Sequence, residues 1–160
     1  MSDNYLIVVP TYNEAKNIEL FLDSLSDVKS DILVVDDNSP DGTSDLVKEK
    51  MIANPSIHLL TRKKKDGLGS AYREGFEWGL KHNYEYFVEM DADFSHRVVD
   101  LVGMIKEAKE YDLIIGSRYV NGGGSTGWTL RRKILSQGAN RIAQILLRTK
   151  INDLTSGFRI

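Results

Sequence analysis

Five short apolar runs, largely without polar alternation, punctuate this chain, and each stops on a polar cluster. They are Tyr5–Val9, Asp31–Val35, Ser56–Thr61, Tyr84–Met90 and Leu113–Gly116. A strand with one wet face alternates apolar and polar residues, whereas a strand covered on both faces does not. Between the runs lie segments with helical spacing. Ile18, Phe21, Leu22 and Leu25 mark one at 14–27, and Ala71, Gly75, Trp78 and Gly79 mark another at 68–82. Leu46, Val47 and Met51 follow a helix cap at Thr43, and Val98, Leu101, Val102 and Ile105 follow one at Ser95. Residues 130–149 complete the set as a long amphipathic helix. Strands alternating with helices define an α/β fold, a Rossmann-like open, mostly parallel sheet sandwiched by helices. With 160 residues and no repeat or linker, the chain reads as one domain. A Gly-rich stretch, Asn121–Gly127, should be mobile.

In open sheets of this kind ligands bind beyond the carboxyl ends of the strands. Five polar clusters fall there: Pro10–Glu14, Asp36–Asp41, Arg62–Asp66, Asp91–Asp93 and Ser117-Arg118. Asp91 and Asp93 follow the fourth run one residue apart, and two carboxylates so placed can share a divalent cation. Hard oxygen ligands suit Mg²⁺ or Mn²⁺, which usually bridge to substrate phosphates. Asp36 and Asp37 can accept hydrogen bonds from a ribose or a base, although an Asp-Asp pair after a strand is more often simply a turn. Lys63, Lys64 and Lys65 are a solvated loop that, near this rim, can steer a diphosphate. Gly67-Leu68-Gly69 does not complete a dinucleotide fingerprint, because position 72 is Tyr and the segment follows the third strand. His58 and His82 read as structural. His96, close to Asp93, belongs in the first turn of a helix or at the edge of the metal shell.

Charge is divided. Residues 1–112 hold 13 basic and 22 acidic residues, a balance of −9. Residues 113–152 hold seven basic residues and no acidic one. Such a tract on an acidic body suits an anionic partner. Nucleic acid is a poor fit, because the tract has no interleaved aromatics beyond Trp128. There is no cysteine, which excludes disulfides and thiolate chemistry. No leader and no membrane span is legible, so a cytoplasmic location is expected.

The clusters also carry a resemblance. Val-Val-Pro-Thr-Tyr-Asn-Glu at 8–14, Val-Val-Asp-Asp-Asn-Ser-Pro-Asp-Gly-Thr at 34–43 and Gly-Leu-Gly-Ser-Ala at 67–71 resemble inverting glycosyltransferases of the second sequence family. So do Met-Asp-Ala-Asp-Phe-Ser-His at 90–96, Gly-Ser-Arg-Tyr at 116–119 and Asp-Leu-Thr-Ser-Gly-Phe-Arg at 153–159. The nearest branch is the dolichol-phosphate (polyprenol-phosphate) mannosyltransferases. The resemblance implies an A-type glycosyltransferase fold, with a donor and metal half at 1–116 and the start of an acceptor half at 117–160. The family domain is longer than this chain, so the acceptor half should be incomplete.

It further implies GDP-mannose as donor, dolichyl or polyprenyl phosphate as acceptor, and transfer with inversion. The alternatives are a UDP-hexose donor serving a polyprenyl phosphate or a glycan, or a sugar-nucleotide-binding module without turnover. Pro10, Tyr12 and Glu14 would hold the nucleotide, with Asp36 or, preferably, Asp37, and with Lys63 near the diphosphate. Asp91 and Asp93 would bind the metal. Arg118, Arg132 and Ser136 would receive the acceptor phosphate, and Asp153 would face the transferred sugar. For residues 130–149, periodicity alone favours a core helix. Its basic flanks, Arg131, Lys133, Arg141 and Arg148, also suit peripheral contact with the cytoplasmic face of a membrane.

Overall fold

A computed structural model describes residues 4–124 and 129–160. Trp128 and the 125–127 part of the Gly-rich stretch lie outside the described residues. The first four apolar runs form strands β1 (Tyr5–Thr11), β2 (Asp31–Asp36), β3 (Ile57–Thr61) and β4 (Tyr86–Glu89). They make one parallel sheet in the order β3-β2-β1-β4. The strands alternate with helices α1 (Ile18–Ser24), α2 (Thr43–Ala53), α3 (Leu68–Lys81) and α4 (Val98–Glu107), and α5 (Leu130–Leu147) follows.

Side chains alternate across β1, so the central strand feeds both layers of the core. Ile7 and Val9 pack with Ile18, Phe21, Val47 and Leu101 on one face, and Leu6 and Val8 pack with Ala71 and Tyr72 on the other. Helix α3 can lie close because it turns glycines toward the sheet. A Cβ on Gly75 would stand 2.5 Å from Val8 Cγ1, and one on Gly79 would stand 2.4 Å from Phe87 Cε1.

The rest departs from the sequence expectations in five places. Helix α1 is shorter than 14–27, because residues 14–17 form turns in which the Asn17 and Ile18 amides both donate to the Glu14 carbonyl. Thr43 is the first helical residue of α2 and not its cap. Gly42, at φ +89°, occupies the cap, and the Thr43 hydroxyl donates to Asp41 Oδ1 at 2.6 Å. Helix α4 is preceded by Arg97, not by Ser95.

The fourth departure concerns Leu113–Gly116, which does not pair with β4. The edge of β4 is already taken: Arg159 bridges antiparallel both to Glu89 and to Ile115. The segment Phe158–Ile160 therefore lies between them, with Ile114 and Ile160 exchanging hydrogen bonds of 2.9 and 3.0 Å. Gly116 permits this approach, since a Cβ there would fall 2.5 Å from the Phe158 ring.

Helix α5 is not a core helix. Leu130, Ile134, Leu135, Ile142, Ile145 and Leu146 are 60–75% exposed, and its buried residue is Asn140. The periodicity is real, but polar bonds hold the helix to the domain instead of apolar burial.

Candidate active site

The rim is built by loops that tie one another down. After β1, the Asn13 amide donates to Ser39 Oγ at 2.9 Å, the Glu14 amide to Thr43 Oγ1 at 3.0 Å and the Ala15 amide to Asp41 Oδ2 at 3.0 Å. Burial would raise the Asp41 carboxyl, but the bonds from Thr43 and Ala15 outweigh it and hold the group low. This lacing fixes Pro10, Tyr12 and Glu14 against the loop after β2. Tyr12 is half-exposed, with Lys65 Nζ 4.0 Å over its ring, a cation–π contact. Lys63 is exposed on the same loop after β3.

The two aspartates after β2 part company. Asp36 is fully buried, and its carboxylate accepts from Thr11 Oγ1, Ser39 Oγ, the Ser39 amide and Ser44 Oγ at 2.6–2.9 Å. Four donors saturate it, so it anchors the loop. Asp37 lies beside Arg62, whose Nη1 donates to Asp37 Oδ1 at 2.5 Å. The same guanidinium reaches Glu74 Oε1 at 3.1 Å and Ser70 Oγ at 2.7 Å. Among the described residues Asp37 is held through Oδ1 by Arg62, and no donor reaches its Oδ2. Arg62 was legible as a basic loop residue but not as the partner of Asp37.

Asp91 and Asp93 emerge after β4 on a loop that turns sharply at Phe94, a non-glycine residue at φ +59°. Such a conformation costs energy and is held by its surroundings. Here the Asp91 amide donates to His96 Nδ1 at 3.2 Å, and the Ser95 amide donates to Asp93 Oδ1 at 2.9 Å. Tyr72 Oη donates to Asp91 Oδ1 at 3.3 Å. Burial raises the Asp91 carboxyl; His96 opposes this and Asp93 adds to it. Burial likewise depresses His96 and favours the neutral ring, which can accept at Nδ1. Tyr72, the residue that breaks the glycine fingerprint, is thus an unforeseen member of the site. It lines an open cleft of about 600 Å³ between α3 and residues 155–159.

Among the described residues no three Asp, Glu or His side chains converge as a complete metal cage. A pair of hard carboxylates, one of them partly desolvated beside the other, nevertheless fits Mg²⁺ or Mn²⁺ that takes its remaining ligands from a diphosphate and water.

The residues expected to meet an acceptor fall in a second region, around Arg118 and Asp153. Arg118 grips Asp153 twice, Nε to Oδ2 at 2.7 Å and Nη2 to Oδ1 at 2.6 Å, and its amide adds a third bond at 3.0 Å. Nη2 also donates to Thr155 Oγ1 at 2.7 Å. The Asp153 carboxylate is fully buried, and although burial alone would raise it, the Arg118 bonds hold it low. The expectation that Asp153 faces the transferred sugar therefore meets a carboxylate already committed to Arg118. Tyr119 Oη donates to Ser136 Oγ at 2.7 Å, bringing α5 beside the Arg118 loop. Arg132 precedes Ser136 by four residues on α5 and so shares its face.

Taken together, the parallel sheet with its aspartate pair at the rim is the A-type fold of glycosyltransferases. The chain belongs to glycosyl transferase family 2, whose model matches residues 6–160. It is 44% identical over 156 residues to an undecaprenyl-phosphate mannosyltransferase of Micrococcus luteus, with 96% of this chain and 64% of that protein aligned. It is also 44% identical over 158 residues to a polyprenol monophosphomannose synthase of Mycolicibacterium smegmatis, covering 96% of this chain and 60% of that protein. The chain thus spans less than two thirds of the length of these relatives. A solved structure, the mannosyltransferase PcManGT from Pyrobaculum calidifontis in complex with GDP-Man and Mn²⁺, is similar at a TM-score of 0.50 and 31% identity. That match covers 56% of this chain and 27% of the other.

Proposed function

We propose that this chain carries the donor and metal site of an inverting transferase that moves mannose from GDP-mannose to a polyprenyl phosphate. The observation that carries the reading is the Asp91–Asp93 pair at the end of β4, and the bond from Tyr119, the neighbour of Arg118, to Ser136 supports an acceptor side. The relatives' names supply the sugar and the lipid, and the complex of the structural neighbour supplies the nucleotide and the ion.

Pro10, Tyr12, Glu14 and Asp37 hold the nucleoside, and Lys63 attends the diphosphate. Asp91 and Asp93 hold the cation, Mg²⁺ or Mn²⁺, which when bound offsets the charge that develops on a departing nucleoside diphosphate. Tyr72 and His96 fix Asp91 from two directions, one at the carboxylate and one at the backbone, so the pair is oriented before the donor arrives. The nucleophile is a phosphate oxygen. A phosphate monoester, with a second pKa near about 6, is already anionic at neutral pH, so no strong base is needed. Arg118, Arg132 and Ser136 bind that phosphate.

Among the described residues no helix is long and apolar enough to cross a membrane. The exposed apolar stripe of α5, flanked by Arg131, Lys133, Arg141 and Arg148, supports peripheral contact with an anionic lipid surface, where the acceptor resides. Such contact agrees with a site at the cytoplasmic face.

The test is transfer from sugar-labelled GDP-mannose or UDP-glucose to a polyprenyl phosphate with Mn²⁺. Label in the lipid from GDP-mannose alone supports the reading. Label from UDP-glucose alone assigns the chain to the hexose branch, and nucleotide binding without transfer reduces it to a binding module.

A further inference from the structure

The buried amide of α5 sits on an otherwise exposed helix, and both of its polar atoms are used. Asn140 is 5% exposed. Its Nδ2 donates to the Asn152 carbonyl at 2.6 Å, and its Oδ1 accepts from the Leu154 amide at 2.9 Å. These two bonds bracket Asp153 from either side. Gln144, one turn further along α5, adds a bond from Nε2 to the Ile151 carbonyl at 2.7 Å. Between these held positions the Asp153 carboxylate accepts from Arg118 with both oxygens, and Thr155 Oγ1 adds a bond to Oδ1 at 3.3 Å.

We infer that Asn140 is a positioning residue for acceptor recognition, acting through Asp153 to aim the Arg118 guanidinium. The inference rests on the reading above, in which Arg118 meets the acceptor phosphate. Three features favour it over a purely structural role. An amide of a helix that buries little apolar surface adds little to the core, so its burial has another cause. The two bonds go to the residues flanking Asp153 and to no others. Asp153 in turn spends both oxygens on Arg118 and, with Thr155, restricts a long side chain that has many rotamers. The same bonds join α5 to the segment that carries Asp153.

The experiment measures affinity of the whole chain for a short, water-soluble prenyl phosphate, and separately for GDP with Mn²⁺. Asn140→Ala is expected to weaken prenyl phosphate binding roughly tenfold or more while GDP affinity stays within about twofold. Asn140→Asp, which keeps the acceptor for the Leu154 amide and loses the donor, is expected to fall between. Because Asn140 acts through Asp153, adding Asn140→Ala to Asp153→Asn should weaken binding by no more than about twofold further. Unchanged prenyl phosphate affinity in Asn140→Ala, or an additive double variant, would overturn the inference. Loss of both ligands in both Asn140 variants would also overturn it, marking the residue as a folding determinant. If Arg118→Ala leaves prenyl phosphate binding intact, the acceptor reading itself fails instead.

Discussion

Arg62 and Asp37 form a buried ion pair at the rim, with Nη1 2.5 Å from Oδ1 and both side chains less than a tenth exposed. The guanidinium is shared with Glu74 and Ser70 of α3, so one side chain fastens the loop after β2 to the helix after β3. Removing one partner of such a pair strands a desolvated charge, which typically costs about 3–5 kcal/mol. Arg62→Ala should lower the stability measured by urea unfolding by roughly that amount. Arg62→Lys should recover little, because an ammonium cannot address three partners in a planar fork.

Gly79 faces the sheet with no room for a methyl group, and Gly103 in α4 has nothing within 4 Å of a Cβ position. Gly79→Ala should therefore destabilise by about 1–3 kcal/mol through overpacking against Leu6 and Phe87. Gly103→Ala should stabilise by about 0.5–1 kcal/mol, the ordinary gain for a helix interior. Thermal melts of the two variants check both signs.

The Asp153 carboxyl is held below its ordinary value of 3.8 by Arg118. A depressed carboxyl contributes stability that is present in full well above 3.8 and is lost as pH falls through the lower folded value. Unfolding free energy should therefore drop on acidification below about pH 4–5. In Arg118→Ala that part of the drop should shrink, and denaturant titrations across the acid range would show it.

Much of the fold was legible because it rests on local patterns. Four strands and the helices between them follow from continuous apolar runs and helical spacing, and the rim follows from where those runs stop. What was hidden depends on partners far apart in sequence. Asp36 and Asp37 look alike in the chain. Only the approach of Thr11, Ser39 and Ser44 makes one an anchor, while Arg62 claims one oxygen of the other. Three residues, Phe158–Ile160, displace Leu113–Gly116 from the edge of β4, and so short a segment has no periodicity to read. The Arg118–Asp153 grip spans 35 residues and is invisible in either motif alone. Helix α5 shows the converse: a clear apolar period exists, yet its stripe is exposed, because period reports amphipathicity and not what lies opposite.

Asp93 is exposed and Asp91 is half-buried with one oxygen engaged by Tyr72, so the two carboxylates are not equivalent. Asp93→Asn should weaken Mn²⁺-dependent GDP-mannose binding by at least about tenfold, or about 1.4 kcal/mol, while leaving stability nearly unchanged. Tyr72→Phe, which frees Asp91 Oδ1 without altering the packing volume, should have a smaller effect in the same direction.

In the proposed function the Asp91–Asp93 rim binds a sugar nucleotide through a divalent cation. Calorimetric titration of the chain with GDP-mannose, in Mn²⁺ and again in chelator, tests it most directly. Binding is expected with the metal and little without it, with weaker heat from UDP-glucose under the same conditions. Binding of equal strength with and without Mn²⁺, or none in either, would contradict it.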